Sequence, residues 1–199
     1  MKNSIEEHVC SSIDIRNTVA NFRLLENCTV VEGFLKIVLI DNGKPNDYEN
    51  LTFPKLREIN DYLLVFRVSG LLSLAKMFPN LSVIRGRTLL HNYAFVIYEM
   101  LSLQEIGLKS LTNILRGDIR IEKNPNLCFV DTVDWSRIAR HLLITKNKEQ
   151  KYCPNCDQKC PRVSARRIDG KMIGDSDNRV CWTSDICQKH CKLLDYFWD

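Results

Sequence analysis

Nine cysteines are the residues of this 199-residue chain whose spacing most directly suggests chemistry. Three are spread through the first 150 residues, and six crowd into the last third. Cys153-x2-Cys156 has the spacing of zinc ligands. Zinc does not explain the isolated Cys10 and Cys28, whereas an oxidising compartment explains all nine cysteines. The pattern therefore favours disulfides, and we predict no metal site.

Three N-glycosylation sequons indicate the same compartment, and their acceptors are Asn27, Asn50 and Asn80. One such triplet often arises by chance, but three sequons and nine cysteines together predict an extracellular glycoprotein. Residues 1–9 lack the apolar segment of a signal peptide. We therefore expect a mature form, a fragment or a gene model that starts late.

No catalytic motif is visible in the sequence. The four histidines, His8, His91, His141 and His190, are isolated, and no Gly-x-Ser-x-Gly elbow or glycine-rich phosphate loop occurs. No pair of carboxylates is marked as a catalytic pair. We predict that the chain is not an enzyme and binds no cofactor.

Composition and charge narrow the class of partner. The chain has 45% apolar and 26% charged residues, which is typical of a globular protein with a real core. Its net charge of +4 comes from scattered basic residues, so nucleic acid is not an expected partner. The apolar runs are shorter than the roughly 20 residues of a membrane span. We expect no membrane contact by this chain.

The elements that must position any site form a loose repeat between residues 29 and 124. Candidate strands are Leu35–Ile40, Leu63–Val68, Phe95–Met100 and Ile119–Asn124. A second apolar series lies at 29–31, 56–59, 81–84 and 103–106, and two Phe-Pro phrases begin at Phe53 and Phe78. Periods of 20–50 residues indicate a solenoid whose coils stack to bury their edges. We predict a mainly β fold, a short right-handed β-helix like a leucine-rich repeat; the alternative is an α/β sandwich.

Two helices are predicted to cap this core. The first lies within Asn17–Glu26. The second begins after an N-cap at Asp131 or Thr132 and spaces its apolar residues at i, i+3, i+4 and i+7. These apolar residues are Trp135, Ile138, Ala139 and Leu142. The pattern makes Trp135 a core residue. After about residue 150 the apolar residues become sparse, so that region needs cross-links to stay ordered.

Seven phrases, in order, resemble the first leucine-rich (L) domain of the insulin receptor family. They are Asp14-Ile-Arg-Asn17, Leu25-Glu-Asn-Cys28, Tyr62–Val68, Phe78–Gly86, Asn92-Tyr-Ala94, Arg120–Asn124 and Val133-Asp-Trp-Ser136. The resemblance covers about residues 10–191. It implies an L domain at 10–150, the start of a furin-like cysteine-rich region at 151–191 and a divergent tail at 192–199.

The resemblance also implies a binding face on the large sheet for an insulin-like peptide and for a helical segment from the distal part of a receptor chain. Carried over position by position, the face is Asp14, Arg16, Asn17, Val38, Leu39, Phe66, Arg67, Asn92, Tyr93, Val96, Tyr98, Glu99, Arg120, Glu122 and Lys123. An apolar anchor ringed by polar groups is typical of protein hot spots. Strand alternation puts Leu64 and Phe66 on one face, with Val65 and Arg67 opposite, and leaves open which face is inward.

This sequence departs from the family at four positions. Lys36, Asp41, Leu90 and His91 stand where mammalian members tend to have an amide or aromatic residues. The departures favour a divergent receptor and a different insulin-like peptide.

The disulfide pairing implied by the resemblance is Cys10–Cys28, Cys128–Cys156 and Cys160–Cys181. Cys153, Cys187 and Cys191 are left without an assigned partner, and Cys153 is a candidate partner of Cys187. An odd cysteine predicts a disulfide-linked dimer, a free thiol or a truncation.

The resemblance leaves two functional interpretations open. No second L domain, membrane span or kinase motif follows in this sequence. The chain is then either a secreted decoy or a piece of a receptor ectodomain, and both are extracellular hormone-binding roles. The alternative is an adhesion or dimerisation module that binds no hormone, as the L domains of the epidermal growth factor receptor family also suggest.

Overall fold

The computed structural model describes residues 7–163, 167–168 and 171–189, and within them the fold is mainly β. The strands in chain order are β1 (Val9–Cys10), β2 (Ile13–Arg16), β3 (Val30–Val31), β4 (Leu35–Ile40), β5 (Glu58–Ile59), β6 (Leu63–Val68), β7 (Val83–Ile84), β8 (Tyr93–Tyr98), β9 (Asn113–Ile114), β10 (Asp118–Glu122), β11 (Leu142–Thr145), β12 (Arg167–Ile168) and β13 (Lys171–Met172). One short α-helix, α1 (Pro45–Tyr48), and 3-10 helices at Val19–Leu25, Trp135–Arg137 and Gln150–Tyr152 complete the elements.

The strands alternate between two parallel sheets. The small sheet has the order β1-β3-β5-β7-β9, and the large sheet has the order β11-β10-β8-β6-β4-β2. Every pairing within these two sheets is parallel, whereas β12 and β13 form a separate antiparallel pair. Each pass of the chain therefore contributes one strand to each sheet.

The core is built from ladders of identical or similar apolar side chains. In the large sheet one inward ladder is Ile15, Ile37, Val65, Ile97, Ile121 and Ile144. All of these except Ile144 are fully buried. β-branched side chains suit a pleated, packed surface, and burying each one contributes about 1.5–3 kcal/mol. Stacked coils thus give one continuous core.

A stack of aromatic rings fills the corner between the sheets. The ring centroids of Phe22 and Phe53 are 6.1 Å apart, and those of Phe53 and Phe78 are 6.0 Å apart. The two Phe-Pro phrases therefore do occupy equivalent points of successive coils, as the repeat predicted.

Two of the four long predicted strands have the predicted bounds, β4 and β6, while β8 and β10 begin and end slightly earlier. The fourth segment of the second apolar series, 103–106, does not join the small sheet as the others do. The backbone amides of Gln104 and Glu105 donate to the carbonyl of Leu72, so this segment pairs with a neighbouring corner. Asn113–Ile114 takes its place in the small sheet.

Both predicted capping helices are corrected. The first is a 3-10 helix with Thr18 as its N-cap, and it buries Phe22 and Leu25. The second is only the 3-10 helix Trp135–Arg137, and Leu142 belongs to β11. β11 pairs with β10 and extends the inward ladders by one strand, which a continued helix would not do.

The cysteine pairing follows the resemblance at one bridge only, Cys10–Cys28. The implied pairs Cys128–Cys156 and Cys160–Cys181 are wrong. The other bridges are Cys128–Cys153, Cys156–Cys181 and Cys160–Cys187, with Cα–Cα distances of 5.5, 5.8 and 5.1 Å. These distances lie within the range that a disulfide can span.

Local backbone geometry explains the difference. Cys181 and Cys187 face each other in an antiparallel bridge, so they reach two separate partners on the segment 156–160. The 3-10 helix Gln150–Tyr152 immediately precedes Cys153, which bonds Cys128. Cys187 is thus paired without Cys153, whereas the prediction for Cys191 lies outside the described residues.

The cysteine-rich part packs directly on the coils. Trp182 is 1% exposed, and its ring meets that of Trp135 edge-on at 5.3 Å. Trp135 is buried among core residues, as predicted. Gln188 joins the same junction, because its side chain accepts from the Asp134 amide at 2.7 Å and donates to the Asp134 carbonyl at 3.2 Å.

Candidate functional site

The outward face of the large sheet presents two regular rows of side chains. Residues that alternate with the inward ladders must point away from the core. The first row is Asp14, Lys36, Leu64, Val96, Arg120 and Leu143. The second row is Arg16, Val38, Phe66, Tyr98, Glu122 and Thr145.

A third outward row comes from left-handed backbone at one position of each coil. Its residues all have φ between 48° and 67°: Asn17, Leu39, Arg67, Glu99, Lys123 and Lys146. At Leu39 and Arg67 the register skips a residue, and pairing resumes at Ile40 and Val68. The left-handed residue turns a second consecutive side chain outward and then returns the chain to the core.

The left-handed residue in each coil breaks the strict alternation that the sequence predicted. Phe66 is outward and Val65 inward, but Arg67 also faces outward instead of joining Val65. Tyr98 and Glu99 are likewise both accessible, as is Lys123 after the nearly buried Glu122. Each coil therefore contributes three residues to this face.

The centre of the face is apolar. Val38 and Val96 are only 5% and 4% exposed, yet they lie outside the cluster that fills the interior. The rings of Phe66 and Tyr98 stack at 5.7 Å, and Leu39 is 39% exposed. A shallow groove of about 330 Å³ borders this centre beside Arg67, Glu99 and Leu101.

A polar network frames one side of this apolar centre. Arg67 donates to Glu99 with an Nε–Oε2 distance of 2.8 Å. Lys123 Nζ lies 3.3 Å from Glu99 Oε1 and donates to the Tyr98 hydroxyl at 2.6 Å. The pKa of Glu99 is lowered, chiefly by the hydrogen bond from Arg67. The Tyr98 and Glu99 contacts raise the pKa of Lys123, so both groups are held in their charged forms.

Further ion pairs extend this frame. Arg120 donates to Glu122 with Nη2–Oε2 at 2.6 Å, and its guanidinium lies 4.6 Å from the ring centroid of Tyr98. This hydrogen bond lowers the pKa of Glu122. At the other edge Arg16 donates to both carboxylate oxygens of Asp14, which raises the pKa of Arg16. The charges are thus oriented before any partner binds.

The structure places fourteen of the fifteen predicted site residues in or beside these rows. Tyr93 lies beside them, with its ring 5.7 Å from the Arg120 guanidinium. Asn92 is the exception: it precedes β8, its carbonyl accepts from Asp118, and its side chain has no hydrogen bond among the described residues. Five residues of these rows are not among the predicted site residues: Lys36, Leu64, Leu143, Thr145 and Lys146. Strand register is the signal that finds them.

The three sequon asparagines lie away from this face, on the corners beside the small sheet. Asn27 and Asn50 are exposed and line one groove with Lys55, which donates to Asn27 Oδ1 at 2.8 Å. Asn80 is partly exposed and donates to the Pro54 carbonyl.

The arrangement suits recognition of a partner surface. Within the part of the chain that the structure describes, no group of His, Cys, Asp or Glu side chains is placed to hold a metal ion. In the same part, no helix has the length and apolar content needed to cross a membrane. What the face offers is a rigid apolar patch inside a ring of fixed charges.

Comparison with known proteins decides the family. Residues 27–139 match the family model of the receptor L domain. The chain is 51% identical over 191 residues to the insulin-like peptide receptor of Branchiostoma lanceolatum, covering 94% of this chain and 13% of that protein. It is 49% identical over 189 residues to the insulin-like growth factor 1 receptor of Xenopus laevis, covering 92% and 14%. This chain belongs to the insulin receptor family and contains a receptor L domain.

A receptor from a more distant animal is similar over the same part of the chain. The insulin-like receptor of Drosophila melanogaster is 43% identical over 198 residues, covering 92% of this chain and 9% of that protein. The chain thus spans about a seventh or less of the length of these relatives. As a receptor L domain it is not an enzyme, and its family and disulfides indicate an extracellular location.

Proposed function

We propose that the outward face of the large sheet binds an insulin-like peptide, as part of the ligand-binding region of a receptor. The observation that carries this proposal is the apolar centre of Val38, Phe66 and Val96 framed by oriented ion pairs. Its relatives include a protein named insulin-like peptide receptor. An apolar centre within a polar rim is typical of protein contacts.

The mechanism is burial of a peptide's apolar patch on a preformed surface. Three rows on a rigid parallel sheet lose little conformational freedom on binding, so more of the contact energy appears as affinity. The networks around Glu99 and Glu122 fix the directions in which Arg67 and Arg120 can donate. These donors then set the register of the bound peptide.

We further propose a second occupant, a helical segment from the distal part of a receptor chain. The face spans six strands, so it offers room for a helix beside a hormone contact. The chain alone then binds weakly and gains affinity when the helix is supplied.

For the scaffold we propose a right-handed β-helix that forms an L domain at residues 10–150. The strands pass alternately through two parallel sheets, and parallel crossovers are right-handed in about 98% of cases. We propose the start of a furin-like region at 151–191, a divergent tail at 192–199, and glycans on Asn27, Asn50 and Asn80. Glycans at those corners leave the binding face open.

The test is biosensor binding of insulin to the secreted chain, with and without a helical peptide from the distal part of a relative's receptor. Phe66→Ala is expected to weaken binding by about 2 kcal/mol or more, as a central hot spot does. Leu115→Ala removes an apolar side chain that is 57% exposed and lies off the large sheet. Equal affinity of the Phe66 and Leu115 variants contradicts the proposal.

Backbone and side-chain effects at Arg67 can be separated. Arg67→Ala and Arg67→Gly both remove the guanidinium, but glycine tolerates the left-handed φ of 48° and alanine does so less well. The same loss of binding in both variants assigns the effect to the side chain.

A further inference from the structure

Lys36 differs from the other basic residues of the binding face in having no carboxylate partner. Arg16, Arg67, Arg120, Lys123 and Lys146 each have a carboxylate oxygen within 4 Å. Lys36 has no ion pair with any of the residues that the structure describes. Its cross-strand neighbour Asp14 already accepts from Arg16 with both carboxylate oxygens.

The ammonium of Lys36 is nevertheless held in a defined place. Its Nζ lies 4.2 Å from the ring centroid of Phe34 and 5.8 Å from that of Tyr62. These rings stack on each other at 5.4 Å with an interplanar angle of 19°. A cation within about 6 Å of an aromatic face is attracted to it. The stack therefore orients Lys36 and leaves its three N–H donors without a charged acceptor.

Lys36 also borders the surface that a partner would cover. Leu64 is its cross-strand neighbour, and Val38 is two residues along the same strand. A peptide that buries these apolar side chains removes water from Lys36. An uncompensated cation at such a contact lowers affinity, whereas a carboxylate opposite it restores a charge-assisted hydrogen bond.

We propose that Lys36 is a specificity-determining residue that binds a carboxylate of the insulin-like peptide. This inference rests on the proposed function and adds to it the charge of the group that must meet this edge of the apolar centre. Lysine is a compact donor on a flexible stem, so it accepts an aspartate, a glutamate or a chain terminus. Peptides with a neutral residue at the matching position then bind with lower affinity.

The experiment measures biosensor affinity of insulin for the wild-type chain and for Lys36→Gln, which keeps a polar side chain and removes the charge. We expect about a five- to tenfold weaker affinity and a shallower dependence on salt concentration. Lys109→Gln makes the same charge change at an exposed position outside the large sheet, and it should alter neither quantity. Unchanged affinity and salt dependence in Lys36→Gln overturn the inference.

A double-mutant cycle identifies the matching group. Insulin variants with single Glu→Gln changes are measured against both receptor chains, and one of them should lose its effect when Lys36 is already Gln. If the affinity loss from every insulin carboxylate change simply adds to the loss from Lys36→Gln, the assignment is overturned. The carboxylates at the chain termini are tested by amidation. A loss confined to the distal helical peptide assigns Lys36 to that segment and also overturns it.

Phe66→Ala separates failure of this inference from failure of the proposed function. If Phe66→Ala weakens insulin binding and Lys36→Gln does not, the proposed binding face is retained and the carboxylate contact at Lys36 is rejected. If Phe66→Ala leaves insulin binding unchanged, both the binding face and the Lys36 contact are rejected. The same follows if the folded wild-type chain does not bind insulin with or without the helical peptide.

Discussion

The coiled part, from Val9 to Thr145, and the cysteine-rich part, from Gln150 to Lys189, are held together by different forces. The coils carry ladders of buried Ile, Leu, Val and Phe, and a single disulfide joins their first two passes. The cysteine-rich part has two internal bridges, Cys156–Cys181 and Cys160–Cys187, and a third, Cys128–Cys153, ties it to the coils beside Phe129. Its described strands are two residues long. Apolar stacking organises the first part and covalent links organise the second.

This difference decides where binding surfaces can form. A sheet of stacked coils fixes the direction of every outward side chain, so three rows converge on one face. A cross-linked segment is tied at a few points and carries no comparable array among its described residues. The proposed binding face therefore belongs to the coils, and the cysteine-rich part packs on them at one end through Trp182.

The largest effect should come from breaking a ladder. Phe95 is fully buried, pairs with Leu63 and Ile119, and contacts Trp135. Phe95→Ala is expected to lower the free energy of unfolding by about 3–5 kcal/mol, because it leaves a cavity that the stacked coils cannot close. Denaturant unfolding measures this change. Leu115→Ala, at an exposed site, should cost less than about 0.5 kcal/mol.

The next effect should come from the bridges. Replacing both Cys156 and Cys181 by Ser is expected to cost about 2–4 kcal/mol and to loosen the cysteine-rich part selectively. Hydrogen exchange should rise between residues 150 and 189 while β6 stays protected. The Cys10→Ser, Cys28→Ser pair is the matched control, and its exchange should rise near β1 instead. Equal loss of protection in β6 would refute the division into two differently stabilised parts.

A smaller effect should mark the junction between the parts. Gln188→Ala removes both hydrogen bonds to the Asp134 backbone and leaves buried polar groups without partners. We expect a cost of about 1–3 kcal/mol in thermal or denaturant unfolding. Gln158→Ala changes an exposed amide and should be close to neutral. A neutral Gln188 variant would mean that the two parts are not coupled there.

The smallest effect should appear with pH on the binding face. The pKa of Glu99 is lowered in the folded chain, so its contribution is present above the unfolded pKa of about 4.3 and is lost as pH falls through the lower folded value. Glu99→Gln should therefore lower the free energy of unfolding slightly at neutral pH, and the difference from wild type should disappear as pH falls through that acidic window. Glu26→Gln, an exposed residue without an ion pair in the described chain, is the control. If the free energy of unfolding depends on pH in the same way in the wild type, Glu99→Gln and Glu26→Gln, the contact between Arg67 and Glu99 has no stabilising role.

The contrast between the parts also explains what the sequence could predict. Leu35–Ile40 and Leu63–Val68 were predicted with their observed bounds because apolar alternation is a local signal. The positive φ at Arg67 carries no such signal, so alternation places that side chain on the face opposite Phe66, whereas both side chains point outward. Leu142 fits a helical spacing, yet pairing with Ile119 makes it part of a strand.

Disulfide pairing is harder to predict from the sequence than the strands are. Six cysteines between Cys128 and Cys187 meet in one cluster, so their partners depend on which backbone segments lie face to face. Sequence spacing does not contain that information. The binding-face residues were carried over by resemblance, while Lys36 was noted as a departure and acquired a role only from its contacts.

The most direct test of the account is the affinity of insulin for the folded wild-type chain and for Phe66→Ala, measured with the distal helical peptide present. Hormone binding on the large sheet predicts measurable binding by the wild-type chain and a loss of about thirtyfold or more in the variant, equivalent to about 2 kcal/mol. Equal affinities, or no binding by either folded chain, would contradict the claim that the large sheet is the hormone-binding face.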